Sequence, residues 1–424
     1  MLFGAESGGI ISQIYQIMMI LSFLLWPILI FFGPRIYLWF TDRKLRGVLN
    51  QLDSYRTDTQ QMFLQKLTGK PSKTTMNRFE TLRDFKFSEP TGIDPSGLVG
   101  KLEHVLDTSE HKFNRFIKAN ADTDNEEELA DLNMAFKGVM GTHQIYKVLR
   151  HFRQLLNKTR NFQLIGIISM MLPIYEEIAE AQKEATRAFT DNAPIGDTIG
   201  PLVAAKLIQS DEEDLEEKAE DIIVSEEEIS GNTAYVVKSK GPGARLGKYG
   251  NALEKLAEEN ELEAIITVDA GAKFEGEETG SISEGVGVMM GGPGVEKSKI
   301  EETAVEHDVP LEGIIIKQSA PEASKPMKKE IYNAYEPARE KVEQLAEEFD
   351  GEIAVVGVGN TCGVGNNRKA TRGVHNKLQK YWEEYKHKDE KEVSYMGLMS
   401  AMPGGDASEL ENTKNRYLRT LPRL

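Results

Sequence analysis

Cys362 is the only cysteine in 424 residues. No internal disulfide can therefore form, and a disulfide-built secreted scaffold is excluded. The seven histidines are scattered, without H-E-x-x-H or a paired Cys/His spacing, so no zinc motif is present. Positive charge is in deficit: the formal net charge is −16, a poor match to a protein that coats nucleic acid, and no nucleic-acid partner is expected. Lys and Arg are absent before Arg35, and no small-residue cleavage site follows the first apolar run. Both absences argue against a cleaved signal peptide.

What is present first is an apolar stretch from Ile14 to Phe32, with no charged residue between Ser7 and Pro34. Its nineteen residues would span about 28 Å as a helix, close to the hydrocarbon thickness of a bilayer. Trp26, Tyr37 and Trp39 suit interfacial positions. Arg35, Arg43, Lys44 and Arg46 follow the run and only Glu6 precedes it. The expectation is a single-pass anchor in the cell membrane, N-terminus outside, with the remaining domains cytoplasmic. The second apolar run, 164–174, is too short to span and reads as a buried core helix.

Residues 41–210 read as helical, with apolar positions three and four apart over 98–119, 126–159 and 162–189. Residues 211–228 carry eleven Asp or Glu and one Lys, a composition expected of a solvated linker at 211–230. Beyond it, short β-branched runs (234–237, 264–268, 313–316, 353–358) alternate with helical stretches (251–260, 297–306, 325–349, 369–385). That alternation argues a doubly wound, mainly parallel α/β domain over 231–410. A basic tail, 411–424, ends the chain. The fold class is thus α/β: a transmembrane anchor (1–40), a helical cytoplasmic domain (41–210), the acidic linker, the α/β domain and the tail.

In open α/β sheets ligands sit beyond the carboxyl ends of the strands, and the glycine-rich segments of this domain fall there. The first, 241–250, offers Gly241, Gly243, Arg245 and Lys248 as an anion clamp before a helix; it is not a Walker A motif, because Pro242 and Tyr249 break the pattern. The second, 268–302, places Asp269 at a strand end with Glu275 and Glu278 after it, a set of hard oxygen donors for a divalent cation, and then a nest around Gly292 and Gly294. The third, 355–373, holds Gly357, Gly359, Asn360, Thr361, Gly363 and Asn366, near a dinucleotide fingerprint but with one residue too many before the last glycine. Asn367, Arg368 and Lys369 add polar and basic groups. A plain turn or a solvated loop is the competing reading at each. Cys362 with His375 is a weak candidate nucleophile and base.

Four segments together resemble the archaeal domain of unknown function 1512 family: APIGDTIGPLVAAKL (193–207), VDAGAKFEGEETG (268–280), GVGVMMGGPGVEKSKIEE (285–302) and GVGNTCGVGN (357–366). The resemblance covers nearly the whole chain and implies an archaeal, membrane-associated protein. It supplies neither activity nor site residues. The expected function is binding of a nucleotide or another phosphorylated small molecule, with a divalent cation as the candidate cofactor. The alternative is a non-enzymatic membrane scaffold or adaptor. A protein partner or a homo-oligomer fits either reading.

Overall fold

The computed structural model describes residues 8–86, 97–289, 291 and 294–400. Gly292 and the tail at 411–424 lie outside them.

Five helices come first: α1 (Gly8–Leu67), α2 (Lys73–Arg83), α3 (Leu98–Lys118), α4 (Glu126–Thr159) and α5 (Phe162–Thr190). The start of α4 is set locally. The Asn125 side chain accepts from the amides of Glu127 and Glu128, and Glu126, Glu127 and Glu128 complement the positive end of the helix. Phe136 of α4 is fully buried among Phe63, Phe79, Phe113 and Phe116, with ring centroids 5.2–5.9 Å away. Each such ring, buried, stabilises the helices by roughly 1.5–3 kcal/mol.

The expected membrane anchor is not sustained. Among the described residues no helix is long and apolar enough to cross a membrane. The single-pass topology and the cell-membrane location fall with it. The apolar run does not form a helix of its own. It is one end of a sixty-residue helix that continues through Arg35, Arg43 and Arg46. The later turns bury Leu45, Leu49 and Leu52 against Leu149 and Leu156 of α4 and Ile165, Ile168 and Leu172 of α5. The short run 164–174 therefore contributes to a core, while Ile167, Met170 and Ile174 are exposed.

A short helix, α6 (Ile199–Leu207), leads into a seven-stranded sheet. The strands are β1 (Glu216–Ala219), β2 (Ile222–Ile229), β3 (Asn232–Ser239), β4 (Leu262–Ala272), β5 (Ile282–Val286), β6 (Leu311–Gln318) and β7 (Glu352–Gly357). Their spatial order is β1-β2-β3-β7-β4-β6-β5. The four central strands are parallel to one another, and both edges pair antiparallel. The sheet is thus mixed, which corrects the doubly wound, mainly parallel reading. The acidic stretch expected to be a linker supplies much of the difference. Ile222, Ile223 and Val224 are buried, the glutamates of β2 fall in its outer half, and Ser230-Gly231, both at positive φ, close a tight hairpin to β3. Charge on an edge strand also blocks pairing with other chains.

Helices cover both faces. On one lie α6 and α11 (Tyr335–Ala346), packed on Ala234, Val236, Ile266, Val268, Ile353 and Val355. On the other lie α7 (Tyr249–Glu259) and α8 (Val295–Glu306), packed on Val237, Ile265, Ala354 and Val356. Gly200 lets α6 seat tightly on the sheet: a Cβ there would stand 2.2 Å from the Val358 carbonyl and 2.4 Å from that of Val268. Among the described residues, α9 (Ala320–Ser324) and α10 (Lys329–Asn333) precede α11, and α12 (Val374–Ser400) follows β7.

Candidate functional site

Two of the glycine segments do meet. The loop after β3 and the loop after β7 interlock: the Gly241 amide donates to Asn366 Oδ1 (2.7 Å), the Gly363 amide to the Pro242 carbonyl (2.9 Å), and Thr361 Oγ1 to the Gly243 carbonyl (2.7 Å). The groups that would grip an outside anion are engaged by the protein's own carboxylates, most of them on the helical region. Gly243 donates its amide to Glu127, and Ala244 donates to Asp131 Oδ1 at 2.9 Å. The Arg245 guanidinium pairs with Glu127 (2.6 Å) and Asp221 (3.1 Å). Lys248 pairs with Asp107 (2.7 Å) and Glu103 (3.3 Å) on α3. The nest exists, but its anion is the protein's own.

Asp131 is the centre of this seam. Burial pushes its carboxyl up to about 7, against hydrogen bonds from Asn192 and the Ala244 amide that favour the charged form. Cys362 lies beside it, fully buried, with Sγ 4.0 Å from Asp131 Oδ1. Burial raises its thiol well above the ordinary value. His375 instead packs on the Tyr332 and Trp382 rings. No activated nucleophile results. Behind the loops, Lys238 is fully buried at the end of β3, donating to the Ser239 carbonyl (2.7 Å) and Asn366 Oδ1 (3.2 Å). Burial pushes its amine down to about 7. Asn366 is thereby consumed as a structural clamp, and its amide also donates to Glu212.

The carboxyl ends of β4 and β6 are different. Asp269 is 3% exposed; Oδ1 accepts the Ala270 amide (2.6 Å), and Oδ2 is buried with no hydrogen-bond partner. Asp197, on the 3-10 turn before α6, accepts the Asn360 amide at 2.9 Å. Burial raises the Asp197 carboxyl. It raises Asp269 well above the carboxylate range, with the neighbouring charge of Asp197 adding to the effect and Lys297 opposing it. At the end of β6 both amide atoms of Gln318 are likewise buried without a partner. Glu322 is the contrast: burial raises its carboxyl, but Lys328, the Ser319 amide and Thr279 outweigh that and hold it at about 2.

The expected cation set does not assemble as a group. Among the described residues no three His, Cys, Asp or Glu gather to hold a metal, so Glu275 and Glu278 do not join Asp269. Gly294 caps α8 at φ +80°. Gly357 and Gly359 line the end of β7 against α6 and the Asp197 carbonyl. Sequence reasoning missed Asp131, Asp197, Lys238 and Gln318. Lys238 left a trace, as the one charge inside an apolar strand. Asp197 lies in the family-resembling segment 193–207.

The DUF1512 N-terminal domain, a protein of unknown function, matches residues 17–192, and the DUF1512 C-terminal domain matches residues 195–365. The chain belongs to the DUF1512 family. The second domain of the family begins just before Asp197 and includes α6 and the acidic strands, whereas the sequence reading placed a linker at 211–230. No curated protein matches the chain.

Proposed function

We propose that the C-terminal DUF1512 domain binds a phosphorylated small molecule through one divalent cation held by Asp197 and Asp269. The observation that carries this is the buried, unpartnered Oδ2 of Asp269 beside a second carboxylate at the carboxyl end of the sheet. A buried polar atom without a partner costs about 1–3 kcal/mol, and a site for a ligand accounts for that cost. The position fits. The chain leaving β4 passes through edge strand β5 and then reaches α8 on one face, while the chain leaving β7 leads to Val374 and Leu378 of α12 on the other. In open α/β sheets ligands bind where neighbouring connections part to opposite faces. Magnesium is commonly held by one or two carboxylates, with phosphate oxygens and water completing its shell. Lys297 stands near enough to Asp269 to offset its charge and would face the phosphate.

The test is thermal unfolding of the full chain with magnesium and a panel of nucleotides and sugar phosphates, against the same panel in EDTA. At a hundredfold excess over Kd a ligand adds about 2.7 kcal/mol of stability. The shift should need magnesium and vanish in Asp269→Asn. A panel that shifts nothing, or shifts the variant equally, defeats the reading. A non-enzymatic adaptor is favoured by one different observation: the loop at 241–250 is fully used in joining sheet to helices.

A further inference from the structure

Away from Asp197 and Asp269, a recess of about 290 Å³ is lined by Lys206, Gln209, Arg368, Lys369 and Arg372. It lies at the far end of α6 from Asp197. Nine helical residues separate the two, roughly 13 Å. Four of the five lining side chains are cationic, and the fold crowds them together. The Asn367 side chain donates to the Ser210 carbonyl (3.1 Å), and the Arg368 backbone amide donates to the Ile208 carbonyl (3.0 Å). These bonds fasten the loop after β7 to the end of α6 through backbone and Asn367, and leave the guanidinium groups out of the fastening.

The acids nearby are already engaged. Asp211 pairs with Lys369 (2.5 Å). Glu336 pairs with Arg339 (2.7 Å). Glu212 accepts from Asn366. Among the described residues the Arg368 and Arg372 side chains have no ion pair or hydrogen bond, and Lys206 has only the Tyr335 ring, 5.0 Å away. The negative end of a short helix accounts for one nearby cation. It does not account for three gathered around one concave surface. Burial disfavours the charge on Lys206, and the neighbouring Arg368 adds to that while Glu336 opposes it. Like charges held around a cavity are stabilised by an anion inside it, and Arg forks match phosphoryl oxygens in pairs.

We propose that this recess is a second, cation-independent site for a compact phosphoryl anion, held by Lys206, Gln209, Arg368 and Arg372. The volume is at the bottom of the ~300–1,000 Å³ range of small-molecule sites, which fits one or two phosphoryl groups and not a whole dinucleotide.

Isothermal titration calorimetry of the full chain with inorganic pyrophosphate, in EDTA and low salt, tests it. EDTA separates the recess from the proposed Asp197–Asp269 site, which needs a divalent cation. The wild type should bind, and Asp269→Asn should bind equally. Arg368→Gln with Arg372→Gln should weaken binding by at least about tenfold, as expected from losing charged hydrogen bonds. Because neither side chain has a protein partner, the double variant should unfold at the wild-type temperature, which checks that the loss is local. No heat with the wild type, or unchanged affinity in the double variant, overturns the site. Equal affinity for sulfate or citrate overturns the phosphoryl assignment.

Discussion

The two halves of the strand-end surface carry the same kind of sequence and do different things. Beyond β3 and β7, glycine loops with Arg245 and Lys248 are satisfied internally, by Glu127, Asp131, Glu103 and Asp107. Beyond β4 and β6, Asp269 and Gln318 are buried and unsatisfied. A nest of backbone amides and basic side chains is evidence of an anion, and that anion can be a carboxylate from another part of the same chain. The half with incomplete hydrogen bonding is the better place to look for a ligand.

The contrast can be broken most directly at Asp131. Asp131→Ala strips the Ala244 amide and the Asn192 amide of their acceptor inside the seam and should cost about 3 kcal/mol, read as a lowered urea midpoint. A loss below about 1 kcal/mol would mean that the seam contributes little. The pH dependence is the next largest effect. Asp131 keeps its proton to about 7 in the fold, whereas the unfolded carboxyl loses it near 3.8. The native state therefore holds the extra proton, and this group's contribution to stability falls as pH rises from about 4 to 7. Lys238 gives up its proton near 7 in the fold and near 10.5 when unfolded. Its contribution therefore rises from pH 7 to about 10.5. Together they place a trough near neutrality. Asp131→Asn should flatten the acid limb and Lys238→Met the alkaline limb, in urea midpoints measured across that range.

Glu127→Ala removes the acceptor of the Gly243 amide and one partner of Arg245. A loss of about 2 kcal/mol is expected, since a charge-assisted bond is being broken at a half-exposed position. Lys248→Ala should cost less than about 1 kcal/mol, because its pairs are partly solvated. On the other half, Asp269→Asn should leave stability within about 1 kcal/mol of wild type, or raise it. The Asn oxygen can still accept from Ala270, and no buried carboxyl remains to be kept protonated. A large destabilisation there would show that Asp269 is structural and would remove the contrast.

Much of this fold was legible beforehand. The ends of α3, α4 and α5 fall within a residue of the periodic segments, because capping and apolar spacing are local properties. The four parallel strands were visible as buried β-branched runs. The antiparallel strands that flank them were not. β1 and β2 carry the acidic charge that ordinarily marks a linker, and β5 lies in a glycine-rich loop. Only pairing to a neighbour makes either a strand. The site was legible as a place, the strand ends, and Asp269 was named, but its company was not. Asp197 arrives from a turn about seventy residues earlier in the chain, and the Glu275 and Glu278 that follow Asp269 in sequence stay apart from it.

The sequence by itself determined which segments of the helical region form helices, which strands are central, and that no internal disulfide holds the chain together. These follow from residue type and short-range spacing. Tertiary structure alone decided that the charged strip joins the sheet as β1 and β2 and that the first glycine loop takes most of its anions from α3 and α4. It alone gathered Lys206, Arg368 and Arg372 around one recess. The loop's ion pairs and the gathering of Lys206 with Arg368 join residues more than a hundred positions apart, and the strip becomes strand only when β3 carries it onto the sheet, so none of the three is set by residue type and short-range spacing.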